Sequence, residues 1–252
     1  MLNIVVPMAG AGSRFANAGY LDPKPLIQVR GVPMIAVVIN NLKPSCEHRF
    51  IFVCQRSHIE RFRLAEKLSA WAPGCEIVGL DGITQGAACT VLAAREHISE
   101  KDSLTIANSD QYVDIDIDDY LVEMERQNLD GLIMTMTADD PKWSFVGLSD
   151  EHLVNNVVEK QVISNEATVG IYNFRRGGDF LRAADAMIRK ELLVNGEYYV
   201  APVYNEMIAE CASIGISNVG REGAGMYGLG IPADLERFLT LPVCELATGV
   251  PA

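Results

Sequence analysis

Cations are scarce in this chain, and three of them stand where chemistry could use them. Arg14, Lys24 and Lys160 belong to a set of 21 Lys and Arg set against 33 Asp and Glu, a formal net charge of −12. The first two fall in one stretch, VVPMAGAGSRFANAGYLDPKPLI, at residues 5–27. It opens apolar, breaks into glycines, and then delivers an arginine and a proline-flanked lysine. Glycines at 10 and 12 let backbone approach a ligand closely, and successive N–H groups in such a loop form a concavity for phosphate oxygens. Arg14 adds a planar fork of donors suited to the same oxygens. Pro23 and Pro25 restrict the backbone around Lys24 and aim its ammonium. A surface turn would need one glycine and no such cations.

Two common phosphate motifs do not fit. The Gly10-x-Gly12 pair resembles the start of a dinucleotide fingerprint, but Phe15 takes the third glycine position. The acidic residue expected at the end of the second strand is replaced by Val-Cys-Gln-Arg-Ser at 53–57. A P-loop needs Gly-Lys-Ser/Thr, which the loop lacks.

The elements that must position these groups alternate. Short apolar runs at 2–7, 49–55, 75–80, 103–108 and 131–138 read as buried strands. Helical patterns lie between them, at 33–43, from Ser57 with Glu60 as a capping box, at 84–98 and at 117–128. That alternation predicts an α/β fold, a Rossmann-like mixed, mostly parallel sheet flanked by helices. The second half adds small β insertions: two strands within 144–160 joined by a turn at 149–151, and strands at 166–174 and 216–220. Helices follow at 178–192, 203–213 and 232–239. No linker or repeat interrupts the chain, so one domain over 1–252 is expected, with an N-terminal nucleotide-like half (1–140) and a C-terminal substrate-like half (141–252).

Composition removes other classes. An apolar fraction of 49% supports a sizeable core. No apolar run approaches the ~20 residues that span a bilayer, and the N-terminus carries no basic leader, so a cytoplasmic protein without a membrane partner is expected. An acidic balance disfavours nucleic acid as a partner. The six cysteines form no C-x-x-C pair and the four histidines are scattered, so reduced thiols are expected, and neither a zinc site nor a catalytic histidine stands out.

The run Gly10-Ala11-Gly12-Ser13-Arg14-Phe15, followed by Pro23-Lys24-Pro25-Leu26, resembles the G-x-G-[ST]-R-[LF]…P-K-x-L signature of sugar-1-phosphate nucleotidyltransferases. Later segments are similar in order: TQGAACTVLAA, IANSDQYV, VVEK, ATVGIYNF and GLGIPADLERF. The resemblance implies catalysis by Arg14 and Lys24, and nucleotide contacts from Ala9, Gly10, Ala11, Gly12, Ser13, Gly86 and Asp110. Asp110 would also hold Mg²⁺. Gly147, Glu159, Lys160, Thr168 and Gly170 would line the acceptor site. NTP and a phosphorylated small molecule are the implied partners, with a homo-oligomer possible, and NDP-sugar precursors of surface polysaccharide the implied product. The sequence departs from the family at Gly228, where many members carry a second metal-binding aspartate; Asp234 lies nearby as a first-turn helix acid. A cytidylyltransferase for a phosphorylated amino alcohol, or an idle binding module of the same fold, would carry the same signature, with a nicotinamide oxidoreductase more distant.

Overall fold

The computed structural model describes residues 1–250. In chain order it runs β1 (Leu2–Met8), α1 (Ser13–Asn17), β2 (Gln28–Val29), β3 (Val32–Pro33), α2 (Met34–Leu42), β4 (His48–Gln55), α3 (Arg56–Phe62), α4 (Leu64–Trp71), β5 (Glu76–Leu80) and α5 (Ala87–Leu92). There follow β6 (Ser103–Ala107), β7 (Gln111–Val113), α6 (Ile117–Arg126), β8 (Gly131–Thr137), β9 (Ser144–Leu148), β10 (Val154–Glu159) and β11 (Glu166–Phe174). The chain closes with α7 (Gly177–Arg189), α8 (Val203–Ala209), β12 (Ile214–Glu222), β13 (Gly225–Gly228), α9 (Pro232–Leu239) and α10 (Val243–Thr248).

One sheet carries the order β5-β4-β1-β6-β11-β8-β12-β13-β7, with β9 and β10 attached beside β11. The first four strands are parallel. β11 then enters antiparallel between β6 and β8, so β8 does not continue the parallel block next to β6. β8 and β12 are parallel again. Because β11 and β12 pair with β6 and β8, the sheet is built from both halves of the chain.

Period-two alternation explains why the strands read as continuous apolar runs. Along β1, Leu2, Ile4, Val6 and Met8 enter one core cluster while Val5 enters the other. Along β4, Phe50, Phe52 and Cys54 face the first, and Ile51 and Val53 the second. Helices α2, α4 and α6 cover the first face, and α5, α7 and α8 the second. A third cluster joins Phe15, Ile27 and Met34 to Leu229, Leu235 and Phe238. It docks the C-terminal segment onto the stretch that bears Arg14 and Lys24.

Several elements differ from the sequence pattern. The 57–71 helix is two helices broken at Arg63, whose φ of 51° is left-handed. α3 has no fully buried residue, only Ile59 and Phe62 packing partly against the core, and the break turns α4 so that Leu64 and Leu68 enter it, which stabilises the fold by about 1.5–3 kcal/mol per side chain. The Ser57–Glu60 capping box does not form: α3 starts at Arg56, directly from β4, with Gln55 as its cap and no side-chain cap bond. The 84–98 helix is short, ending at Leu92 before a separate 3₁₀ turn at Arg95–His97. The 203–213 helix stops at Ala209, just before Cys211 turns left-handed at φ 66°. No disulfide forms; all six cysteines are free.

Candidate active site

The glycine loop leaves β1 at the C-terminal end of the parallel strands, where open α/β sheets bind ligands. Gly12 adopts φ 61° and caps α1, a conformation that favours glycine. A Cβ there would stand 3.6 Å from the Lys24 Cβ, so the loop and the Pro-Lys-Pro turn are in contact. Gln55, ending β4, donates its side-chain amide to Ala9 O at 2.9 Å and Gly10 O at 3.2 Å. Arg14 projects from α1, exposed, with Phe15 buried behind it. Beside the loop a cavity of about 250 Å³ is lined by Gly10, Gly12, Lys24, His58 and Arg61 among others. Burial and the Arg61 charge hold the His58 imidazole below its ordinary range.

Two of the implied residues meet directly. Lys24 Nζ lies 2.8 Å from Asp110 Oδ2, both side chains about a quarter exposed. Asp110 follows β6 by three residues, so the carboxylate stands at that strand's C-terminal end. Gly230 backs it: a Cβ on Gly230 would fall 2.4 Å from Asp110 Oδ2. Leu229 N donates to Asp110 O at 2.8 Å, and β13 pairs with β7 so that Gly228 faces Gln111. The C-terminal GLGIP segment therefore forms a wall of the Asp110 site.

A second cavity of about 250 Å³ opens between β6, β9 and β11. Asn108, Ser144, Glu159, Thr168 and Gly170 contribute to its lining. Gly170 has φ 84° and interrupts the register of β11 against β8. Its missing Cβ leaves room for Asn108 Nδ2, which would lie 2.0 Å away. Ser144 donates to the Glu159 carboxylate, whose titration is pushed up by burial, opposed by Ser144 and Lys160, with Glu197 adding to the rise. Lys160 sits at φ 59°, donates Nζ to Lys142 O at 3.0 Å, and lies 5.5 Å from the Tyr199 ring centroid. Lys142 Nζ in turn lies 4.8 Å from the Trp143 centroid. Thr168 is buried, its hydroxyl 3.1 Å from that of Tyr172.

Two implied residues have packing reasons of their own. Gly86, at φ 109°, admits the Tyr198 backbone, whose oxygen would be 2.5 Å from a Cβ. Gly147 lies along β9 from Ser144 and admits the Asn156 amide, 1.9 Å from where its Cβ would stand.

Among the described residues no group of three or more His, Cys, Asp or Glu converges as a metal cage. Gly228 supplies no carboxylate, and Asp234 Oδ2 lies 3.4 Å from where its Cβ would be. Burial first, then Glu222, pushes the Asp234 carboxyl up, against Lys142, Arg237 and Arg14. Asp110 remains the carboxylate at the centre. One carboxylate fits a hard cation such as Mg²⁺, which keeps its waters and takes further oxygens from substrate phosphates.

Gln55, Gly230, Asn108 and Lys142 were not singled out from sequence. Gly230 and Asn108 lie inside segments that resemble the family, GLGIPADLERF and IANSDQYV, and Gln55 stands where the dinucleotide acid is missing; Lys142 carries no local signal.

A glycine loop at the end of β1, an aspartate just past β6 and a lysine in contact with both stand together at the C-terminal edge of the parallel strands. The chain belongs to the MobA-like NTP transferase domain family, whose model matches residues 4–160. It is similar to a nucleoside-diphosphate-sugar pyrophosphorylase from Vibrio cholerae RC9, 26% identical, with 94% of this chain and 100% of that chain covered at a TM-score of 0.79. The fold is also that of a UDP-glucose pyrophosphorylase from Acinetobacter, 16% identical, covering 95% and 92% at a TM-score of 0.71. Among curated proteins it is 28% identical over 180 residues to the bifunctional protein GlmU of Methanococcus aeolicus; the match spans 69% of this chain and 40% of that protein.

Proposed function

We propose that the protein is a nucleotidyltransferase that joins an NTP to a sugar 1-phosphate, giving an NDP-sugar and pyrophosphate. The observation that carries the reading is the Lys24–Asp110 pair, 2.8 Å apart, with Lys24 also lining the cavity beside the glycine loop. An oxygen of the acceptor phosphate attacks the α-phosphorus. The new P–O bond forms as the bond to the bridging oxygen breaks, and pyrophosphate leaves with that electron pair. The attacking phosphate is already ionised near neutral pH, so no general base is needed. The chain's task is positioning and charge neutralisation. Arg14 holds the departing phosphates, Lys24 the reacting one, and Lys160 the acceptor phosphate. Asp110 is the residue that would hold Mg²⁺, and the ion would add charge neutralisation at the phosphates.

The second cavity supports a neutral polyol body over an amino alcohol. Glu159, Asn108 and Thr168 offer hydroxyl partners there. The Trp143 and Tyr199 rings that could cradle an organic cation are already approached by Lys142 and Lys160, and two ammonium groups repel a third. The product would serve polysaccharide assembly from the cytoplasm; among the described residues no helix is long and apolar enough to cross a membrane. Lys24→Ala tests the reading: it should lower kcat/KM by two or more orders of magnitude while the melting temperature holds, and an active Lys24→Ala enzyme would remove the reading's centre.

A further inference from the structure

The second strand of a dinucleotide-binding fold ends in an acidic residue aimed at a ribose. This chain has Gln55 at the end of β4, and the side chain points elsewhere. Its amide reaches across to the glycine loop and donates to two successive carbonyls, Ala9 O at 2.9 Å and Gly10 O at 3.2 Å. Peptide groups are planar, and every one described here is trans. In a trans peptide the C=O and the N–H of the following residue point in opposite directions. Drawing the Ala9 and Gly10 carbonyls toward β4 therefore turns the N–H groups of Gly10 and Ala11 away from β4. Neither N–H has a protein acceptor among the described residues. Gly10 has nothing within 4 Å of where a Cβ would stand, so no neighbouring group presses on it from that direction.

We propose that Gln55 is a positioning residue for the nucleotide: it sets the two peptide planes so that the Gly10 and Ala11 N–H groups are preformed as donors to a phosphate or base oxygen. The inference rests on the nucleotide reading of the loop. It assigns Gln55 no contact with the reacting atoms. Glutamine is suited to this task because one NH₂ group can serve two carbonyls. Glutamate has the same shape but, when ionised, only accepts. It would repel both carbonyls and release the peptide planes.

The test is Gln55→Glu, with nucleoside triphosphate affinity measured by calorimetry on the full chain from pH 5 to pH 8, each value taken as a ratio to wild type. Losing two hydrogen bonds predicts affinity about tenfold to a hundredfold weaker at pH 8. The two carbonyl oxygens facing the introduced carboxylate disfavour its charged form and raise its titration above the ordinary glutamate value of about 4.3, so the ratio should begin to recover near pH 5, where the protonated carboxyl regains one O–H donor. Gln55→Leu, which cannot donate at any pH, should stay weak throughout, and both variants should melt close to wild type. An affinity ratio of one at every pH for Gln55→Glu overturns the inference. So does a loss equal in both variants that does not change with pH, because the side chain then acts through bulk alone. A wild-type chain that binds no nucleoside triphosphate would instead overturn the nucleotide reading itself.

Discussion

Gly230→Ala isolates the position of one carboxylate. Gly230 lies outside the left-handed region, so alanine fits its backbone. The added methyl would stand 2.4 Å from Asp110 Oδ2, where ordinary contact begins at 3.4 Å. The carboxylate must therefore recede by about 1 Å. Lys24 Nζ, 2.8 Å from the same oxygen, must follow or lose the bond. A displacement of about 1 Å in a catalytic group costs roughly a hundredfold in rate, which is about 2.7 kcal/mol of transition-state stabilisation at about 1.36 kcal/mol per tenfold. The neighbouring glycine supplies the control. A Cβ on Gly228 meets Asp234 Oδ2 at 3.4 Å, an ordinary contact, so Gly228→Ala should change little. The assay is pyrophosphate release under saturating NTP with a sugar 1-phosphate, alongside a thermal melt. Gly230→Ala should lose about a hundredfold in kcat/KM with its melting temperature nearly intact. Wild-type kcat/KM in Gly230→Ala, or an equal loss in Gly228→Ala, would refute the placement of Asp110 at the reaction centre.

Gly170→Ala should destabilise the fold, because φ 84° disfavours a side chain and the methyl would meet Asn108 Nδ2 at 2.0 Å. A loss of about 1–3 kcal/mol by denaturant unfolding is expected, and an unchanged midpoint would contradict the bulge's role. Glu159→Gln separates stability from recognition. Burial holds the folded Glu159 above its ordinary range, so the native state binds that proton more tightly than the unfolded chain. The stability it contributes is present below the ordinary glutamate range and is lost as pH rises through the raised folded value. Glutamine mimics the neutral form, so the variant's melting temperature relative to wild type should improve from pH 4 to pH 8. The acceptor KM should meanwhile rise several-fold, because a charge-assisted hydrogen bond from the acceptor is replaced by a neutral one roughly half as strong. A pH-independent stability difference would count against the buried carboxylate.

Much of the fold was legible because buried parallel strands are short apolar runs and the helices between them keep their period. The candidate site was legible where the local sequence is unusual: glycines before Arg14, prolines around Lys24, a carboxylate just past a strand at Asp110. The parts that escaped depend on contacts distant in sequence. Nothing near Arg63 signals a left-handed break, because the apolar period continues through it; burial of Leu64 and Leu68 by the turned α4 decides the matter. The antiparallel entry of β11 follows from pairings with β6 and β8 that no local pattern encodes. Gln55 looked like a missing acid until the loop carbonyls were placed beside it. Gly228 drew notice as an absence, whereas the neighbouring Gly230 touches the Asp110 carboxylate more closely.

Transfer of a nucleotidyl group to a sugar 1-phosphate is measured most directly as product formation across a panel. Each of the common NTPs would be paired with sugar 1-phosphates and with phosphorylated amino alcohols, with magnesium and with chelator, and pyrophosphate and the nucleotide product quantified together. Equimolar pyrophosphate and NDP-sugar, formed only with magnesium and with one or a few sugar 1-phosphates, is the predicted result. Product with a phosphorylated amino alcohol alone, or no pyrophosphate from any pair, would contradict it.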